Sequence, residues 1–268
     1  MEETPINTIQ DVIKVLQLPS GNKEGSVDGL LTGDTGSGVT GIVTAFMPTA
    51  GVIDQAARLG ANLVIAHEDP FYSHRGGIEI YRGSLVGQEK KRRIDASGIA
   101  VYRCHDYPHL CEPDGITEGL INALGWGQHV KVRLPDATIV EIPAATVRET
   151  ALRVKEALGI PFLRTIGNPD MQCARIGVLA GYRGGGQTVI PLLENERLDL
   201  VIYGEGPEWE SPEYIRDASY CGIEKALIVL GHAESEDPGM SFLAERLRHE
   251  FPMIPVHYVK DKPLFNIL

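Results

Sequence analysis

The sequence predicts an α/β protein with two α/β domains, each a mixed sheet flanked by helices. Two observations carry that prediction. Short apolar segments that read as buried strands alternate with segments that read as helices, the pattern of a parallel or mixed sheet with covering helices. The alternation runs twice, over residues 41–124 and again over 174–259, with a stretch of different character between. The runs also resemble each other. His67 and His105 follow strands in the first, and Glu205 and His232 follow strands in the second. Asp95-Ala-Ser-Gly-Ile99 is echoed by Asp217-Ala-Ser-Tyr-Cys-Gly-Ile223, so the two domains are expected to be a pseudo-repeat.

In chain order, residues 8–18 read as a helix. Thr8 and Asp11 form an N-terminal capping pattern, and Ile9, Val12, Ile13, Val15, Leu16 and Leu18 supply apolar positions. Residues 19–40 are rich in Gly, Ser, Asp and Thr and read as a loop around the apolar segment Val27–Leu31. The first run follows: strand 41–46, helix 51–59 stopped by Gly60, strand 62–66, helix 85–96, strand 99–104, and helix 114–124 stopped by Gly125. Residues 129–143 read as two short strands around a Pro135-Asp136 turn. A helix then starts at Thr146, with Glu149 three residues on, and ends at Gly159 and Pro161. The second run comprises strand 174–180, helix 189–196, strand 199–203, helix 212–220, strand 225–230, helix 241–250 and strand 255–259. On this reading the first domain is 1–127 and the second 128–268, with 237–268 a candidate to pack back on the first.

Composition narrows the function. Lys and Arg number 25 against 36 Asp and Glu, a net charge of −11. Such a chain lacks the basic face that nucleic acids and anionic membranes require. The four cysteines, at 104, 111, 173 and 221, form no C-x-x-C pair and no disulfide framework. They read as thiols of a reducing compartment. No secretory pattern and no long apolar span is visible, so a cytoplasmic location is expected.

Ligand sites in open α/β sheets lie beyond the carboxyl ends of the strands. Three clusters sit there: His67-Glu68-Asp69-Pro70, His105-Asp106-Tyr107-Pro108-His109 and His232-Ala233-Glu234-Ser235-Glu236. A single histidine at a strand end is more often a hydrogen-bonded structural residue. Three histidine-plus-acid clusters at equivalent positions point to metal. Imidazole nitrogen with carboxylate oxygen suits zinc, iron, manganese, cobalt or nickel. Some six ligands exceed what one tetrahedral ion needs, which suggests two ions sharing a hydroxide nucleophile. His74 reads as a solvated loop residue or a substrate orienter. His129, His249 and His257 read as structural or surface residues. The Gly184-Gly185-Gly186 run matches no dinucleotide or P-loop pattern and reads as a connector or an anion cradle. No G-x-S-x-G elbow is present. Glu89-Lys-Lys-Arg-Arg93 reads as a solvated helix face.

Several of these segments resemble one family. Val27-Asp-Gly-Leu-Leu-Thr-Gly33 resembles its N-terminal glycine-containing motif, the pair after strand 62–66 its His-His-Pro motif, and Leu230-Gly-His-Ala-Glu-Ser-Glu236 its Gly-His-x-x-Ser-Glu signature. The family is the Nif-three-like proteins, also known as GTP cyclohydrolase 1 type 2 homologues, and the resemblance spans nearly the whole chain. It implies two α/β domains, a dinuclear metal centre in the cleft between them, and a toroidal homohexamer. It also implies metal ligands at His67, Glu68, His105, His109, His232 and Glu236. Two positions depart from the family pattern: Glu68 stands where a histidine is expected, and His109 where an aspartate is expected. The proline after the pair is displaced by Asp69, which makes Asp69 an alternative ligand to Glu68.

The expected function is a metal-dependent hydrolase acting through a metal-bridging water on a nucleotide-like or other cyclic C–N substrate. Glu68 and Glu205 are the expected acid/base residues. The competing expectation is a metal-handling or regulatory scaffold without turnover.

Overall fold

The computed structural model describes residues 7–17, 24–75 and 81–267. Leu18 and the start of the loop after it lie outside the described residues. The chain divides into two compact units, Met1–Gly115 with Met240–Lys262, and Ile116–Gly239 with Pro263–Leu268. The sequence pattern sets its boundary later, after residue 127. No described helix is long and apolar enough to cross a membrane.

The first unit holds strands β1 (Gly29–Thr32), β2 (Ile42–Ala45), β3 (Leu63–Ala66), β4 (Ala100–Arg103) and β11 (Val256–Tyr258). Their order is β1-β4-β3-β2-β11. All run parallel except β1, which pairs antiparallel with β4. Every residue of β2, β3 and β4 is buried, which is why these strands read as continuous runs rather than alternations. Helices α1 (Ile9–Gln17), α2 (Ala50–Arg58) and α3 (Leu85–Ser97) complete the frame. Val52, Ile53 and Ala56 of α2 and Ile94 of α3 pack on Val43, Val64 and Val101 of the sheet.

Helix α4 (Asp106–Leu110) follows β4, and α5 (Gly115–Ala123) opens the second unit. Its strands are β5 (Val130–Arg133), β6 (Thr138–Thr146), β7 (Arg164–Ile166), β8 (Gln172–Leu179), β9 (Leu200–Tyr203) and β10 (Ala226–Val229). Their order is β5-β6-β8-β9-β10-β7. Pairs β8–β9 and β9–β10 are parallel, and the remaining pairs are antiparallel. Helices α6 (Val147–Leu158), α7 (Gly186–Asn195), α8 (Ser211–Tyr220) and α9 (His232–Glu250) follow in chain order. Leu192 and Leu193 of α7 and Ile215 of α8 pack on Leu179, Val201, Tyr203 and Leu227.

The two sheets share a plan. In each, three successive parallel strands lie side by side, β2-β3-β4 and β8-β9-β10. In each, the strand preceding the triplet returns to pair antiparallel with its third member, β1 on β4 and β7 on β10. The echoed segments occupy matching places, the helix end that feeds that third strand. There Gly98 and Gly222 take positive φ of 65° and 73°.

Four local readings are corrected. Within residues 19–40, read as a loop around Val27–Leu31, Gly29–Thr32 forms an edge strand. Asp106–Leu110 is helical, and Arg164–Ile166 is a strand; at five and three residues they are too short for periodicity to reveal. The last helix begins at His232, not 241. Pro238 inside the helix hides its start.

Candidate functional site

In the first unit, β3 ends at Ala66 and the chain turns at His67, which is fully buried. A ring nitrogen facing a carbonyl oxygen must carry the proton, since the carbonyl only accepts. His67 Nδ1–H therefore donates to the Cys104 carbonyl at 3.3 Å, which leaves Nε2 as its ligand-capable nitrogen. His105 caps α4, and His109 lies one helical turn on, so both rings project from one face. His105 Nδ1 faces Asp106 Oδ1 at 3.1 Å, and His109 Nδ1 faces Asp114 Oδ2 at 3.0 Å. Both contacts hold the imidazole in the same tautomer as His67. The three rings converge: the His67 centroid lies 4.4 Å from that of His105 and 5.2 Å from that of His109. One nitrogen from each falls within 4.8 Å of the others.

Two residues passed over in the sequence build this arrangement. Asp28 Oδ1 accepts the backbone N–H of His105 at 2.6 Å and of Asp106 at 2.8 Å, and Oδ2 accepts that of Tyr107 at 2.8 Å. One carboxylate thus satisfies the open donors at the start of α4 and fixes where His105 sits. Its signal was the glycine-containing segment Val27–Gly33. Arg103 is the other, and its signal was an arginine inside an apolar strand. It is buried, and its Nη2–H donates to Glu68 Oε2 at 2.9 Å. Nη1–H donates to the His74 carbonyl at 2.9 Å. His74 stands 3.1 Å from Nη2 through its own Nδ1 and shares a potential ligand group with Glu68 and His105. Asp69 Oδ1 accepts the Phe71 N–H at 2.6 Å, a local turn bond.

In the second unit, β10 runs out through Leu230 and Gly231 into α9. Gly231 has φ of 110°, a backbone conformation that L side chains rarely adopt, so the turn favours glycine. His232 opens α9, and Glu236 follows one helical turn later. Glu236 Oε2 lies 3.0 Å from His232 Nε2, and Glu205 Oε1 lies 3.0 Å from Nδ1. Burial works against the charged imidazole, but Glu236 and then Glu205 outweigh it through hydrogen bonds and charge, lifting the His232 pKa to about 9. Ser235 Oγ donates to the His232 carbonyl at 2.8 Å and accepts the Gly181 N–H at 2.8 Å. The serine of the signature thereby ties α9 to the end of β8.

The glycine run is close packing. A Cβ on Gly184 would run into the Tyr203 ring, and the Gly186 N–H at the start of α7 is taken by Glu210 Oε2 at 2.6 Å. An anion cradle there would have to displace that carboxylate. His67, Glu68, His105 and His109 are thus brought together within the first unit. His232, Glu236 and Glu205 are brought together within the second. The donors, imidazole nitrogen and carboxylate oxygen without thiolate, suit borderline divalent cations.

Relatives agree with this fold. A protein of Clostridium acetobutylicum named GTP cyclohydrolase 1 type 2 homolog is 27% identical over 228 residues, covering 82% of this chain and 80% of its own. A namesake from Clostridium perfringens is 24% identical over 254 residues, covering 90% and 91%. Among solved structures, a Bacillus cereus protein related to NIF3 superposes with a TM-score of 0.77 at 16% identity, over 99% of this chain and 100% of its own. The family model Duf34/NIF3 (NGG1p interacting factor 3) matches residues 5–263, and the chain belongs to that family.

Proposed function

We propose that this protein is a metal-dependent hydrolase holding two divalent cations, with His67, Glu68, His105, His109, His232 and Glu236 as ligands. One observation carries the reading. Each of the four imidazoles has its Nδ1 against a carbonyl or carboxylate oxygen, the arrangement that aims Nε2 at an ion. Purely structural histidines have no reason to share that orientation four times. The curated relatives' name supports a cyclic C–N substrate of nucleotide type.

When bound, divalent cations supply Lewis acidity and bring the pKa of coordinated water toward neutrality. The chain's own groups do the rest. Cys104 O, Asp106 and Asp114 hold three imidazoles in one tautomer. Arg103 holds the Glu68 carboxylate. Glu205 holds His232 and, half-exposed, would serve as the carboxylate that passes a proton to a leaving group.

Elemental analysis of protein purified without chelator tests this. About two ions per chain are expected, with loss of metal in H67A, H109A and the H232A/E236A pair while circular dichroism is retained. Unchanged metal content in those variants refutes the ligand assignment.

A further inference from the structure

Arg103 does more than neutralise a carboxylate. A guanidinium only donates, so Nη2 at 3.1 Å from His74 Nδ1 makes that nitrogen an acceptor. With Nδ1 so engaged, that nitrogen is withheld from a cation while Arg103 stays in place. The same Nη2 takes Glu68 Oε2 at 2.9 Å, which leaves Oε1 as the oxygen turned to His105 Nε2, 3.8 Å away. Nε–H donates further to the His67 carbonyl at 3.4 Å, so the backbone between the two ligand positions is held by the same group. Arg103 can do this because it is planar, permanently charged, and 3% exposed at the end of a strand paired on both sides.

We propose that Arg103 is a positioning residue that sets the metal preference of the first unit. It withdraws Glu68 Oε2 and His74 Nδ1, confining the ligand set to three imidazole nitrogens and one carboxylate oxygen. That set favours zinc, cobalt or nickel over manganese, because few ligands and mostly nitrogen ones disfavour an ion that wants six oxygens. The proposal rests on the reading of His67, His105 and His109 as ligands. It also explains how a glutamate serves where the resemblance leads one to expect a histidine: the arginine takes one of its two oxygens and balances its charge.

The test is competition between Zn(II) and Mn(II) on the full chain, read by elemental analysis, together with the visible spectrum after Co(II) loading. Arg103→Met is expected to shift the Mn/Zn occupancy ratio toward manganese by about tenfold or more, in the range of changes to groups that orient ligands. It should also weaken the intense visible bands of four-coordinate Co(II) as the second Glu68 oxygen, Oε2, and His74 Nδ1 are released to the ion. Arg103→Lys, which keeps the charge but not the fork, should fall between. In a Glu68→Gln background the Arg103→Met shift should largely vanish. That double variant also removes both halves of the ion pair, so it tests the idea even if Arg103→Met alone folds poorly. A ratio and spectrum unchanged in Arg103→Met, or a shift undiminished in Glu68→Gln, overturns the role of Arg103 while leaving the ligand assignment intact. Wild-type protein that takes up no metal overturns the ligand assignment itself.

Discussion

Asp28 engages three consecutive backbone N–H groups with two oxygens, so its charge and both acceptors are in use. An asparagine presents one acceptor and turns an N–H₂ toward a donor. Asp28→Asn is therefore expected to misplace His105 and lower first-unit metal affinity about 10- to 100-fold, measurable by competition with a chromophoric chelator. Lys90 makes a pH prediction at the same scale. It is buried, donates to the Pro70 carbonyl at 2.6 Å, and lies 4.9 Å from the centre of the Tyr72 ring. Burial lowers its pKa from 10.5 to about 8, against the opposing pull of Asp69 and Asp261. A lysine whose folded pKa is depressed costs stability while both states are protonated, and the cost fades as pH rises from about 8 to 10.5. Unfolding free energy of the wild type should gain on that of Lys90→Met across this window, by up to about 3 kcal/mol. Parallel curves in urea titrations at pH 7.5 and 10.5 would contradict this.

At the scale of elements, α6 was the easiest to read. Thr146 Oγ1 accepts the Glu149 N–H at 3.1 Å, and Glu149 Oε2 accepts the Thr146 N–H at 2.9 Å, the capping box that the spacing predicts. Thr146→Ala should cost about 1 kcal/mol in urea denaturation. The buried strands were legible for a similar reason, since local composition suffices to mark a run enclosed on both faces. Elements shaped by distant partners were not. Helix α4 has five residues and owes its start to Asp28, which lies 77 to 79 positions away. Strand β1 is defined by pairing with β4, not by its own sequence. The candidate ligands were visible as histidine-plus-acid clusters at strand ends. The groups that orient them left weaker traces: Asp28 lies in the Val27–Gly33 segment and Arg103 in an apolar strand, but a hydrogen bond across the fold leaves no local pattern that ties either one, or Asp114, to the group it holds. The helical start of α9 was hidden too, although it places His232 and Glu236 one turn apart.

At the scale of the molecule, each unit has its own sheet and core, and each repeats the arrangement in which a triplet of parallel strands presents histidine or glutamate at its carboxyl end. The thiols bear on this partition. Cys104 and Cys173 are buried, Cys111 is partly covered, and Cys221 is exposed at the end of α8. Burial holds the Cys104 pKa well above its ordinary value, so its thiolate is scarce as well as shielded. Native protein should label rapidly at Cys221 with a thiol reagent, and Cys104 and Cys173 should label only after denaturation, as peptide mapping would show.

Strands β4 and β10, which lead to His105 and His232, are not sheet edges. Each is hydrogen-bonded on one flank to a parallel neighbour and on the other to an antiparallel strand. Their amides have no route to solvent through edge fraying, so exchange there requires opening of a whole sheet. In deuterium exchange, Ala100–Arg103 and Ala226–Val229 should rank among the slowest segments of their units. The histidines that follow them would then keep their positions through the smaller breathing motions of the surrounding loops.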